Sequence, residues 1–405
     1  MKVLFVPMLQ GGLSHLLPSL ALNKMLANTS VQSAFLVPRQ QHDMLRARGV
    51  EFLDIDHQGF RTEIPAYKKY APDVVVDDAS LSTAAATLFT GVPRVAIQRT
   101  GMFPGDVPRN KKHGHSMYLS PADLKTKWAG LAHLGLPEPR VLSDLFQAPY
   151  KIVPGIPSIE ILPAALQNDP TYFFAGPLVM DDYLVGNICS GTKYGFSFSQ
   201  SKNFAPLQEF FERNRDRKRI YVTFGTVAKP TQEVHDCLQF LMDNGISVVS
   251  SIKLQNLSEA QQELYYYAPY LPMHYVCQNV DLMVHHCGCG TYQYPVMHEV
   301  PSIIVGTQCH DRDDVGMRLE ELGTSVYLPG PGENENFVSD FKRAIEQYFQ
   351  DSGRLIQEKK KNLAALNLEV ALTVDDFNFE HVLRRAAGRP PVNMMPDMRV
   401  AASLA

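Results

Sequence analysis

The stretch VDLMVHHCGCGT (280–291) places a histidine pair, His285 and His286, directly before Gly288, Gly290 and Thr291. The apolar residues ahead of it read as a buried strand, and those after it as a helix start. Small residues at such a junction let the backbone approach a ligand, while unpaired N–H groups and the helix dipole favour an anion such as a phosphate. Glycines occur in any strand-to-helix turn, so the neighbours decide. His310, Asp311, Asp313 and Asp314 follow the next apolar run, putting polar groups at two adjacent strand ends, where open parallel sheets bind ligands. Pro295 predicts a helix that starts no earlier than Thr291, because a proline in a helix interior removes a hydrogen bond.

A second constellation lies near the start. Lys2 to Met8 is a continuous apolar strand, followed by two glycines, His15 and a helix expected over Leu16 to Leu26. His15 falls in the first strand-to-helix turn, and Asp77 and Asp78 end the strand PDVVVDDAS (72–80) at the same sheet edge. A buried carboxylate beside a histidine fixes its tautomer and supports its protonated form, so His15 and one of these aspartates have the types of a base and its orienter. Either aspartate also suits a helix cap.

A metal reading competes for His285, His286, Cys287, Cys289, Cys309 and His310. Their spacing matches no common zinc site, and alternate residues at a strand end face opposite ways. The six cysteines form no CxxC pair and no disulfide framework for a chain this long.

The elements that position these residues alternate. Strands at 31–38, 50–55, 72–80 and 92–97 separated by helices imply a parallel, doubly wound sheet, and 153–163 and 172–179 are expected to return to it. Residues 99–138 break the pattern with glycines, prolines and histidines, and such long loops at an open sheet edge usually line a pocket. Gly, Ser and Asn with a basic run mark a linker. A second alternation starts at RIYVTFGTVA (219–228), where Thr223, Gly225 and Thr226 could meet the same anion as Gly288. It continues with a helix at 231–243, strands at 246–252 and 273–277, and the opening stretch, while Phe337, Phe341, Ile345 and Tyr348 read as the core face of a helix. The fold class is therefore α/β, with two Rossmann-like doubly wound domains.

With 405 residues, 45% hydrophobic and 20% charged, the chain is an ordinary soluble enzyme in composition and long enough for two cores. A net charge of -4 without a basic block argues against sequence-independent nucleic-acid binding. No apolar run approaches the roughly 20 residues a membrane span needs. The opening MKVLFVPML is interrupted by Gly11, Gly12, Ser14 and His15, which fits a buried strand better than a signal core, and a cytoplasmic location is expected.

Taken together, these residues resemble the GT-B glycosyltransferases that use nucleotide sugars, most nearly the bacterial enzymes that glycosylate natural products such as antibiotics and macrolides. DLMVHHCGCGT with VPSIIVGTQCHD and RLEELG is similar to their donor-binding segment. Gly-Gly-x-x-His15-x-x-Pro18, PDVVVDD, IPSIE then GPL, YVTFGT and PYLPMHYV add matches in the expected order across nearly the whole chain. The resemblance implies an acceptor-binding domain at 1–200, a linker at 201–218, a nucleotide-sugar domain at 219–370, a helix at 371–388 packing back on the first domain, and a tail at 389–405. His15 would take the proton of an acceptor hydroxyl, with Asp78 rather than Asp77 stabilising the imidazolium, in an inverting, metal-independent displacement. Gly225, Thr226, His286, Gly288, Gly290 and Thr291 would hold the diphosphate, Asp311 the sugar hydroxyls, with Arg312 pairing with Asp311, reaching a phosphate or favouring an unusual sugar, and Pro272 would border the nucleobase. Phe103, Met117 and Trp128 are the acceptor-binding expectations. The implied partners are a UDP- or dTDP-linked sugar and a small, largely apolar acceptor, with no further cofactor, no nucleic acid, and homodimerisation left open.

Two positions depart from the family's pattern: Arg312 stands where glutamine is usual, and Tyr294 where plant relatives carry a glutamate for the ribose. Two other readings compete. A sugar-nucleotide epimerase would need no acceptor pocket, which the 99–138 loop speaks against. A catalytically silent helper need not keep His15, Asp78, His286 and Asp311 together.

Overall fold

The computed structural model describes residues 1–8, 13–38, 42–47, 49–114, 122, 125, 139, 142–179, 198–225, 230–269, 271–350 and 353–388. In the first half, strands β1 (Lys2–Pro7), β2 (Gln32–Val37), β3 (Glu51–Asp54), β4 (Val74–Asp78), β5 (Arg94–Ile97), β6 (Tyr150–Val153) and β7 (Tyr172–Phe174) form one parallel sheet in the order β3-β2-β1-β4-β5-β6-β7. Helices α1 (Leu13–Met25), α2 (His42–Ala47), α3 (Phe60–Tyr70), α4 (Leu81–Thr90) and α5 (Leu142–Phe146) provide crossovers. Along β1, Val3 and Phe5 enter one core with Leu16 and Leu20 of α1, while Leu4 and Val6 enter another with Ile64 and Tyr67 of α3. Burial on both faces is why this strand reads as an unbroken apolar run.

The second half repeats the plan. After α6 (Phe198–Arg213) come β8 (Arg219–Thr223), α7 (Gln232–Asp243), β9 (Ser247–Ser250), α8 (Glu259–Leu264), β10 (Tyr265–Tyr267), α9 (Met273–Gln278), β11 (Leu282–His285), α10 (Cys289–Met297), β12 (Ser302–Val305), α11 (His310–Glu321), β13 (Ser325–Leu328) and α12 (Phe337–Phe349). The sheet order is β10-β9-β8-β11-β12-β13, again all parallel. Helices α13 (Arg354–Asp376) and α14 (Phe379–Ala386) return to the first half, where Phe379, Val382 and Leu383 join the core of β1 and α1.

Four local expectations are corrected. Helix α6 occupies 201–213 of the expected linker, because Leu207, Phe210 and Phe211, at helical spacing, bury against Tyr221 and Val249. The expected strand at 273–277 is helix α9 behind Pro272, and β10 takes the edge position instead. Strand β6 ends at Val153: beyond it Pro154 and Pro157 cannot extend a ladder, and Ile156 and Ile159 pack instead with Cys287, Tyr292 and Val296 of the second half. Helix α10 starts at Cys289, not Thr291, with Pro295 inside it; one interior bond is forfeited within an otherwise buried helix.

Leu178 belongs to the core of the first sheet, and its neighbour Val179 packs on the core around Tyr221.

Candidate active site

In each sheet the strand order reverses at one place, between β1 and β4 and between β8 and β11, and the carboxyl ends there open a crevice. His15, Asp78, His286 and Gly225 all sit at these two points. Helices α1 and α10 meet where the halves face each other.

His15 lies in the first turn of α1, buried, with Nδ1 2.8 Å from Asp78 Oδ1. With Nδ1 engaged by the carboxylate, Nε2 is the nitrogen available to take a proton. Asp78 ends β4 opposite Pro7 of β1, a register that sets it beside the α1 turn. Its second partner was not anticipated: Arg99 Nη2 donates to Oδ1 at 2.6 Å and to Oδ2 at 2.7 Å. Burial works to raise the Asp78 carboxyl, but the Arg99 charge and then His15 outweigh it and hold it below its ordinary value. Asp77 makes no such contact. It lies 3.7 Å from Arg94 Nε, and burial pushes its carboxyl up to about 7.

The second cradle surrounds His286. A Cβ on Gly288 would come within 2.7 Å of its Nε2, and a Cβ on Gly225, where φ is +66°, within 2.9 Å of its Cε1. The imidazole thus fills the space that both missing side chains leave. Burial, and next the charge of Arg312, push His286 down to about 3, so the ring is neutral, and its buried Nδ1 meets no hydrogen-bond partner within normal geometry among the described residues. Gly288 caps α10, and the first helical N–H groups belong to Cys289 and Gly290; around Gly290 a Cβ would meet nothing within 4 Å. Thr291 N donates back to Gly288 O at 2.7 Å. A neutral ring, open backbone and a helix start are groups that suit an anion.

Asp311 and Arg312 stand in the first turn of α11, within electrostatic reach of His286. Residues 99–114 of the first half dock against this helix. His310 N donates to Gly114 O at 2.9 Å, Arg109 N donates to Asp314 Oδ2 at 3.0 Å, and His310 Nε2 lies 3.6 Å from Asp106 and 3.4 Å from Asp314. Burial disfavours the charged form of His310, yet these two carboxylates more than offset it and hold the ring at about 9.

The remaining expected residues divide. Phe103 is core, 1% exposed and edge-on to Tyr172, so it is not offered to an acceptor. Pro272 caps α9 and is buried. Tyr294 is likewise buried, with its ring edge-on to His274. Thr226, Met117 and Trp128 lie outside the described residues. The five described cysteines are free thiols; burial pushes Cys289 up to about 12. Among the described residues one group could hold a metal, His113, Asp313 and Glu333, whose ligand atoms lie within 4.8 Å of one another. Its geometry is divergent: His113 Nδ1 faces Asp313 at 3.3 Å and Nε2 faces Glu333 at 3.0 Å, a bridge between halves and not a shared point.

Arg99 and the Glu160–Tyr292 pair are what sequence reasoning missed. Arg99 follows β5 at the same sheet edge as His15, which was the available signal. Nothing in the sequence pairs Glu160 with Tyr292.

No protein-family model matches the chain. An uncharacterized UDP-glucosyltransferase, YdhE of Bacillus subtilis (strain 168), is 26% identical over 157 residues, a match that spans 37% of this chain and 38% of that relative. Among solved structures, spinosyn rhamnosyltransferase SpnG complexed with thymidine diphosphate superposes with a TM-score of 0.64 at 14% identity, covering 92% of this chain and 96% of that one. UGT71G1 of Medicago truncatula, complexed with UDP-glucose, gives 0.68 at 13% identity, covering 94% and 98%. The fold is GT-B: two facing Rossmann-like domains, as in these glycosyltransferases. Among the described residues no helix is long and apolar enough to cross a membrane.

Proposed function

We propose that this GT-B chain is an inverting glycosyltransferase that moves a sugar from a UDP- or dTDP-linked donor to a hydroxyl of a small, largely apolar acceptor in the cytoplasm. One observation carries the reading: a histidine–aspartate pair at one switch point faces a glycine-rich helix start at the other. The acceptor oxygen bonds to the anomeric carbon as the bond to the diphosphate breaks, and the acceptor proton passes to His15 Nε2. A positioned base of this kind contributes roughly 10²–10⁴ in rate. Neutral His286 and the N–H groups that open α10 would receive the charge developing on the diphosphate, so this reading assigns that task to protein groups. Asp311 would take sugar hydroxyls, and Arg312, beside His286, a phosphate or the sugar.

The nucleotide ligands of the two structural neighbours suggest the panel that tests this: UDP, dTDP, GDP and their sugar conjugates, each with and without a chelator, read by thermal shift. A ligand bound by the native state alone raises Tm by mass action. Stabilisation by one diphosphate, indifferent to chelator, is expected. The absence of any shift at millimolar ligand would transfer the weight to a helper protein that retains the fold without the chemistry.

A further inference from the structure

We propose that Arg99 is a positioning residue for His15, holding Asp78 ionised and oriented so that its Oδ1 meets Nδ1. The inference rests on the transferase reading, in which His15 is the base. Both carboxylate oxygens of Asp78 are occupied by one guanidinium nitrogen, and only Oδ1 is shared with the imidazole. The carboxylate is fully buried and Arg99 is 6% exposed, so no solvent supplements this pairing. A guanidinium nitrogen shared by both oxygens is a charge-assisted contact that holds the carboxylate in place as well as in charge.

The chemical consequence concerns the tautomer. Ionised Asp78 accepts the Nδ1 proton and leaves Nε2 with a lone pair that can receive the acceptor's proton. Protonated Asp78 would donate to Nδ1 instead, placing the ring proton on Nε2 and ending its role as a base. Burial without a counter-charge drives a carboxyl towards that protonated form. Among the described residues, the charged and titratable groups around the pair leave Arg99 as its one cation besides His15 itself: Asp77 on β4 faces Arg94, with the like charge of Glu63 acting on it, Glu160 is bound to Thr100 and Tyr292, and Cys289 at the head of α10 is a neutral thiol with Asp311 beyond it.

The test compares Arg99→Met and Arg99→Lys with the parent and His15→Ala. Turnover is followed as nucleoside diphosphate released from the best donor of the panel, as a function of pH, and affinity for that diphosphate is measured by calorimetry. In R99M the acid limb of kcat/KM should move to higher pH by about one pH unit or more, with diphosphate affinity unchanged. R99K, which keeps the charge, should leave the limb near that of the parent. Arg99→Gln, uncharged but still a donor, substitutes for R99M should that variant misfold, and the same movement is expected. A fall in kcat with an unmoved limb would make Arg99 merely structural, and a parallel loss of diphosphate affinity would make it a donor contact; either overturns the inference. Full turnover in H15A would instead remove His15 as the base and overturn the inference whatever Arg99 does, whereas a parent that binds a diphosphate but turns over no donor would sink the transferase reading itself.

Discussion

Tyr292 donates its hydroxyl to Glu160 Oε1 at 2.7 Å, from the helix that opens at the glycine turn to a segment of the first half, with both side chains buried. Glu160 also accepts from Thr100 N at 2.8 Å and Thr100 Oγ1 at 2.6 Å, so one carboxylate ties together the 99–114 segment, the 154–163 segment and α10. Gly155 makes room for it: a Cβ there would come to 2.7 Å from Tyr292 Oη and 2.9 Å from Glu160 Cγ, at a φ of +133°. Tyr292→Phe leaves that buried carboxylate one donor short and should cost about 1–3 kcal/mol in urea unfolding at unchanged m-value. Gly155→Ala, which adds backbone strain and a clash, should cost at least as much.

The two aspartates that close β4 should separate cleanly. Asp78→Asn removes the negative charge that faces His15 and Arg99 and puts an NH2 donor in place of one oxygen, and turnover should fall by roughly 10²–10⁴. Asp77→Asn should leave turnover within a few-fold, since Asp77 faces Arg94. Its carboxyl is raised to about 7 in the fold, so the ionised form opposes folding and stability falls as pH rises from about 4 through 7. D77N should therefore lose less stability than the parent between those pH values in thermal melts. Equal activity loss in both variants would contradict the assignment of roles.

Gly288→Ala tests the His286 cradle without touching the imidazole's chemistry. The added methyl must displace a ring only 2.7 Å away, a strain of about 1–3 kcal/mol, and should weaken diphosphate binding by roughly 10-fold or more. Calorimetric affinity equal to that of the parent would show that the site lies elsewhere.

His310 links stability to alkaline pH. Its folded value of about 9 lies above the ordinary 6.5, so its contribution is fully present below about 6.5 and is lost as pH rises through 9. Melting curves between pH 6.5 and 9.5 should show that decline, and His310→Gln should flatten it. A decline of the same size in the variant would assign it to other groups.

Much of the molecule was legible in the sequence because parallel strands buried on both faces leave continuous apolar runs, and ligand residues collect where those runs end. His15, His286 and Gly288 stand out on that logic, which leaves Asp77 and Asp78 open; the family resemblance favours Asp78. What escaped was long-range or disguised. Arg99 looked like the first residue of a loop, since nothing local shows that a cation will be folded under a strand end. Phe103 looked like an acceptor contact because aromatic residues in loops serve either role, and its packing on Tyr172 is set by a strand almost seventy residues later. Helix α6 was mistaken for a linker although Leu207, Phe210 and Phe211 carry a helical stripe; the polar residues around them obscured it.

The neighbouring residues Leu178 and Val179 commit to different cores, and the chain passes back between Val370 and Phe377. These passages touch, for a Cβ on Gly176 would come to 2.6 Å from Val374 Cγ2. Among the described residues, the chain therefore leaves the first half and returns to it side by side. Among the described residues, every other tie across the crevice is a hydrogen bond, an ion pair or a packing contact.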